Sequence, residues 1–299
     1  MTAASTAGPP QGANHSALGG SAAETAASVG VVNPPAPAPL ATMPDAVRRG
    51  IAIVLPDIDD TLSTHGRITA QAYAAMEQLQ AAGKRVIPIT GRPAGWCDHI
   101  ARMWPVDGVV GENGAFYMRH DAVRRTLVRR FVVDEATRAA QRTRLAAIAA
   151  SILREVPGCA IASDQHYRET DLAIDFCEDV APLPRAAVDR IVALMEGAGL
   201  TAKVSSIHVN GWFGAYDKLT MTRTLLAEAF ALDMDATRDT IVFAGDSPND
   251  APMFGFFPNA VGVANVRAFL ERIATPPRYV TTAEAGAGFT ELADFLLAG

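Results

Sequence analysis

Three carboxylates, Asp57, Asp59 and Asp60, fall within four positions of "IAIVLPDIDDTL" (51–62), directly after an apolar run. In extended backbone the side chains at i and i+2 share a face, so Asp57 and Asp59 point the same way and Asp60 points elsewhere, as a residue of the turn. Two carboxylates on one side can divide labour, one as nucleophile or metal ligand and the other as proton carrier. A solvated turn tolerates the same crowding, so this motif alone does not decide. "PITGRP" (88–93) follows a second apolar run. There the Thr90 hydroxyl and the Gly91 amide offer two donors aimed at one point, which suits a phosphoryl group, while Thr90 equally suits a helix N-cap. "YDKL" supplies Lys218. Alone it is a solvated surface charge, but beside these groups its ammonium would keep a nucleophile ionised and balance transition-state charge. "FAGDSPNDAPMF" (243–254) supplies Asp246, Asn249 and Asp250, oxygen donors of the kind that a hard cation such as Mg²⁺ selects.

These residues need elements that deliver them to one place. "IAIVL" (51–55) reads as a buried strand, "TAQAYAAMEQLQAAG" (69–83) as a helix closed by Gly83, "RVIPIT" (85–90) as a strand, "AGWCDHIARMW" (94–104) as a helix and "VDGVVGENGAFYM" (106–118) as a strand running into a turn. The rhythm returns with a helix near 217–231 and strands at 239–245 and 260–265. Alternating strands and helices with near-continuous apolar strands predict an α/β fold with a parallel sheet covered on both faces, whose carboxyl ends carry the ligand site. Asp57, Thr90 and Asp246 all stand at such ends. Residues 119–211 differ: partly alternating strands ("LVRRFVV", "HYRETDLAIDFC", "AKVSSIHVNGWF") flanked by helices predict an inserted antiparallel α+β module. The expected organisation is a discontinuous core, 47–118 and 212–299, carrying a lid of 119–211. Residues 1–46, dominated by Ala, Gly, Pro, Ser and Thr, predict a disordered tail, and Met43 stands where translation could alternatively start.

With 299 residues, a net charge of −6 and a pI near 5.5, the chain has no general affinity for nucleic acid or anionic lipid, so a phosphate-bearing partner must be held by a local site. No apolar run approaches the roughly 20 residues of a membrane span, and the N-terminus has neither a basic start nor an apolar h-region; a cytoplasmic protein is expected. Cys97, Cys159 and Cys177 share no metal-ligand spacing and read as reduced thiols.

Taken together, the four motifs in this order resemble the haloacid dehalogenase (HAD) superfamily of phosphohydrolases: "DIDDT", "ITGR", Lys218 and "GDSPND" match its first to fourth motifs. The likeness covers about 170 residues of the inferred core. The place of the insertion, "GENGA" and "GAGFTEL" look like the C2-capped subfamily IIB, Cof-like and sugar-phosphate phosphatases among them, whereas Asp60 and Pro56 depart from the usual pattern. The resemblance implies a Rossmann-like core with a C2-type cap and an Mg²⁺-dependent phosphatase acting on a small phosphorylated metabolite, a sugar phosphate. Asp57 would form an aspartyl-phosphate while Asp59 protonates the leaving oxygen and then activates water. Asp57, the Asp59 carbonyl and Asp246 would hold Mg²⁺, with Asn249 and Asp250 steadying the loop; Thr90, Gly91, Arg92 and Lys218 would surround the phosphoryl group. Substrate choice would fall to the lid, where Arg168, Asp171 and His208 are the candidates. A phosphomutase shares these motifs and is the nearest alternative; a sugar-phosphate sensor without turnover is another.

Overall fold

A computed structural model of the protein describes residues 36–298. Its main sheet is parallel, in the order Ala38–Pro39, Tyr279–Val280, Val261–Gly262, Ile241–Gly245, Ile53–Pro56, Arg85–Val86. The two central strands, Ile241–Gly245 and Ile53–Pro56, are buried at every position, as a sheet covered on both faces requires. Side chains sort by period two: Ile53, Leu55, Ile241 and Phe243 join one apolar cluster, while Val54, Val242 and Ala244 join the other. Met221, Leu225 and Leu226 of the helix Lys218–Phe230 cover the first face; Leu79 of Ala70–Ala81 and Phe289 and Leu292 of Ala285–Leu297 cover the second.

The strand Val109–Gly111 pairs antiparallel with Phe116–Asp121, which pairs with Thr126–Phe131. Leu127, Val128 and Phe131 pack on the two clusters of the main sheet, so this third strand, Thr126–Phe131, which the sequence reading put in the lid, packs with the core. A separate antiparallel sheet runs Thr201–Val204, His208–Trp212, Asp171–Asp175, Ala160–Ile161. Leu172, Ile174 and Val209 face the helices Glu135–Glu155 and Arg185–Gly197 and form a third cluster with Ile152, Ile191 and Met195. The register pairs Ala173 with Asn210 and Asp175 with His208, which turns Asp171, Asp175, His208 and Asn210 to the opposite face.

The expected tail to residue 46 needs correction in its last part. Ala38–Pro39 pairs with Tyr279–Val280, Asp45–Gly50 is helical, and Leu40 and Met43 are buried in the core. Residues 1–35, the rest of that expectation, lie outside the described residues.

Candidate active site

Asp57 follows the strand Ile53–Pro56, and its amide donates to the Ala244 carbonyl at 2.8 Å, which continues the extended register by one residue. Its side chain therefore takes the face of Ile53 and Leu55, the face that the helix Lys218–Phe230 covers. That helix starts where it does because Asp217 caps it, accepting from the Thr220 amide at 2.7 Å. Lys218 thus arrives at the sheet edge and donates to Asp57 Oδ1 at 3.0 Å and Asp250 Oδ1 at 2.8 Å. Asp250 Oδ2 in turn accepts the Asp246 and Ser247 amides at 3.1 and 3.3 Å, which shapes the loop after Ile241–Gly245. A Cβ on Gly245 would stand 2.5 Å from Asp250 Oδ2, so only glycine permits this approach. Gly114 does the same for the helix, since a Cβ there would meet the Asp217 carbonyl oxygen at 2.0 Å.

Asp57, Asp246 and Asp250 bring carboxylate oxygens within 4.8 Å of one another, all three buried, with one ammonium among them. Burial pushes the Asp57 carboxyl up to about 8 despite Lys218, and the charges of Asp250 and Asp59 add to the rise. Burial also drives Asp246 well above the carboxylate range, reinforced by Asp250 and Asp57. Burial works against the Lys218 ammonium, but Asp250 and Asp57 outweigh it and hold its pKa above the ordinary lysine value. A divalent cation fits this cluster: the donors are all oxygen, and one lysine leaves the clustered negative charge under-compensated.

Of the other expected residues, Thr90 is fully buried and its hydroxyl accepts the Arg92 amide at 3.0 Å, leaving its own proton to donate. Gly91 lies against the Asn113 side chain, where a Cβ would come within 3.1 Å of Oδ1. Asn249 Oδ1 accepts the Ser247 hydroxyl at 2.7 Å. Arg92, expected among the phosphate ligands, is occupied differently. It donates from Nε to both Asp59 oxygens at 2.9 and 3.0 Å, from Nη2 to Glu178 at 2.9 Å and from Nη1 to Asp164 at 3.3 Å. The Asp59 carboxylate accordingly faces Arg92 and stands outside the Asp57, Asp246 and Asp250 cluster.

Arg168 and His208, expected to touch substrate, do reach the same small cavity as Asp57, about 20 Å³ in volume. Each is already partnered there. Arg168 donates to Asp164 and Asp171 at 3.0 and 3.1 Å and to the Gly91 carbonyl at 2.9 Å, and Asn210 donates to Asp171 at 3.0 Å. His208 Nε2 stands 2.8 Å from Glu178 Oε2. That His208 contact, together with Arg92, lowers the Glu178 carboxyl to about 2. A cavity of 20 Å³ holds a water and no sugar, so the inserted sheet is closed over the site.

Two residues escaped the sequence reading. Asn265 donates to Asp246 Oδ2 at 3.1 Å and to the Asp60 carbonyl at 3.0 Å, tying together two loops about 200 positions apart; no local signal marks it. Glu112, in "GENGA", is fully buried at a φ of 41°. It accepts the Ala94 and Glu169 amides at 2.9 Å, the Thr170 amide at 2.7 Å and a close contact from the Thr170 hydroxyl, so it joins the core helix to the inserted segment. Burial and then the Asp171 charge push its carboxyl up to about 7, against Thr170 and Arg168.

Residues 54–145 match a family model described as haloacid dehalogenase-like hydrolase. No curated protein matches the chain. Among solved structures, that of Thermoplasma acidophilum 0175 is 17% identical, with a TM-score of 0.62 over 82% of this chain and 98% of its own. The sucrose-phosphatase of Synechocystis, solved with sucrose and phosphate, is 16% identical, with a TM-score of 0.56 over 83% and 98%. BT1666 of Bacteroides thetaiotaomicron, a phosphatase of the HAD superfamily, is 19% identical, with a TM-score of 0.55 over 85% and 97%. At these identities the likeness shows a shared fold. No described helix is long and apolar enough to cross a membrane.

Proposed function

We propose that this haloacid dehalogenase-like hydrolase is a divalent-cation-dependent phosphatase of the cytoplasm that removes the phosphoryl group from a small metabolite, a sugar phosphate, by way of an aspartyl-phosphate. The observation that carries the reading is the buried cluster of Asp57, Asp246 and Asp250 around a single Lys218 at the carboxyl end of a parallel sheet. Such a cluster is costly unless a cation and a phosphoryl group complete it. The Asp57 carboxylate, the Asp59 carbonyl and Asp246 would hold Mg²⁺, with Asn249 and Asp250 steadying that loop. The cation would supply charge to offset the phosphoryl oxygens.

The chain's own groups do the rest. An Asp57 oxygen attacks phosphorus, the bond from phosphorus to the leaving oxygen breaks, and Asp59, which would have to turn from Arg92 and carry a proton in the substrate complex, gives that proton to the leaving oxygen. Asp59 then takes a proton from water as the water attacks the aspartyl-phosphate, which frees Asp57 and inorganic phosphate. Lys218 lowers the cost of ionising Asp57, which the cation would complete, and the Thr90 hydroxyl and Gly91 amide donate to phosphoryl oxygens. The sugar-phosphate class rests on the motif resemblance and on neighbours such as the sucrose-phosphatase. Arg168, Asp171 and His208, on the inserted segment above Asp57, would admit the substrate when that segment opens.

The test is phosphate release from an aryl phosphate and from a panel of phosphorylated metabolites, with Mg²⁺ and with chelator. Wild type should turn over only with the cation, and Asp57→Asn should lose turnover; wild-type rates in Asp57→Asn would overturn the assignment.

A further inference from the structure

Asp59 and Arg92 line two spaces. One is the 20 Å³ charged cavity beside Asp57; the other, which Asp57 does not line, is a cavity of about 510 Å³. Its lining is largely apolar, with Leu62, Ile68, Ile100 and Trp104 beside Ser63 and His99, and it includes Trp96 of the core and Tyr167 of the inserted segment. These two are the exposed aromatic side chains among the described residues, at 40% and 48%. Both are placed, not stray. The Arg92 guanidinium lies 4.5 Å over the Trp96 ring, which fixes that wall relative to Asp59. Tyr167 rests on Gly95, where a Cβ would come within 2.8 Å of its ring, so the close approach depends on that glycine.

We propose that this cavity takes an aryl group carried on the leaving-group side of the phosphate ester. The inference rests on the phosphatase reading, because it places the leaving oxygen at Asp59. Whatever lies beyond that oxygen must then pass Asp59, and with the inserted segment closed only the larger of the two spaces there has room. Its volume falls within the range of small-molecule sites, roughly 300–1,000 Å³. Sugar hydroxyls could reach Ser63 and His99 but would be left without partners on Leu62, Ile68 and Ile100, whereas a flat apolar ring matches that apolar lining and stacks on Trp96 and Tyr167. A sugar phosphate would therefore carry the ring as a substituent.

Calorimetric titration of the full chain with Mg²⁺ tests this, using methylphosphonate and benzylphosphonate, which are not turned over. Benzylphosphonate should bind about tenfold to a hundredfold more tightly than methylphosphonate, the range expected for burying one ring. Trp96→Ala and Tyr167→Ala, which each remove one wall, should each cut that ratio. Equal affinities, or a ratio unchanged in both variants, would overturn the inference. Phosphate release from benzyl phosphate and from the metabolite panel is measured alongside: turnover without the affinity gain overturns the aryl site and leaves the phosphatase standing, whereas the gain with no phosphate release from any of them overturns the phosphatase and with it the leaving-group assignment, leaving only a cavity that binds an aryl ring.

Discussion

Gly114→Ala perturbs the site from outside it. Gly114 has a φ of +105°, and a Cβ there would lie 2.0 Å from the Asp217 carbonyl oxygen, 2.2 Å from its carbon and 2.8 Å from the Lys218 amide nitrogen. All three are backbone atoms and cannot swing away as a side chain would. Contact becomes ordinary at 3.4 Å, so the carbonyl must retreat by about 1.4 Å, and Lys218, the first residue of its helix, moves with it. The ammonium now 3.0 Å from Asp57 Oδ1 is displaced by an amount that typically costs on the order of 10²-fold in rate. The left-handed backbone adds a stability loss of about 1–3 kcal/mol. Gly199→Ala is the control: its φ is +84° but nothing lies within 4 Å, so it bears the backbone strain alone. Urea unfolding and kcat/KM for an aryl phosphate with Mg²⁺ should show both variants destabilised and only Gly114→Ala slowed about a hundredfold. A folded Gly114→Ala enzyme within twofold of wild type would refute the positioning of Lys218 by this contact.

Lys218→Met removes the ammonium that serves Asp57 and Asp250, and should lower stability by about 3–5 kcal/mol in chelator, with partial recovery on adding Mg²⁺; urea midpoints in the two buffers read this out. Asp59→Asn should slow turnover while Mg²⁺ still binds, since its proposed ligand is a carbonyl and its carboxylate faces Arg92; calorimetry that showed lost Mg²⁺ affinity would count against that division. Glu112 holds its proton in the folded state up to about 7, whereas the unfolded chain loses it near 4.5, so its contribution to stability is present below 4.5 and declines as pH rises to about 7, by at most about 3 kcal/mol. Glu112→Gln should flatten that slope and, by setting an amide donor against donors on Thr170, cost about 1–3 kcal/mol, both measurable as unfolding midpoints between pH 4.5 and 7.5.

The strand-borne residues were legible because each obeys a local rule. Asp57 and Asp246 end apolar runs, and the period of two fixes the face that Asp57 shares with the helix of Lys218. What Arg92 touches was not legible: "ITGRP" places a guanidinium near the site, but its pairing with Asp59 is a tertiary contact within the core, and that with Asp164 and Glu178 depends on how the inserted segment docks. Asn265 was invisible for the same reason, since its partners are set by tertiary contact. The segment 38–46 was misread because Ala- and Pro-rich composition resembles a tail, while a two-residue strand needs only backbone donors and acceptors, with Leu40 and Met43 as anchors. Alternation in 126–131 was a sound sign of a strand but carried no sign of which body it would pack on.

The contact between the inserted sheet and the core beside Asp57 is ionic. Arg92 on one side meets Asp164 and Glu178 on the other, and Arg168 reaches back to the Gly91 carbonyl. An apolar seam would lose its whole driving force on parting. A charged one exchanges protein partners for water, so the closed and open states differ by little. The closed pairs are buried and little screened, so added salt acts chiefly on the charges that opening exposes and should favour the open state, which makes ionic strength a control on how often this site admits and releases what it binds.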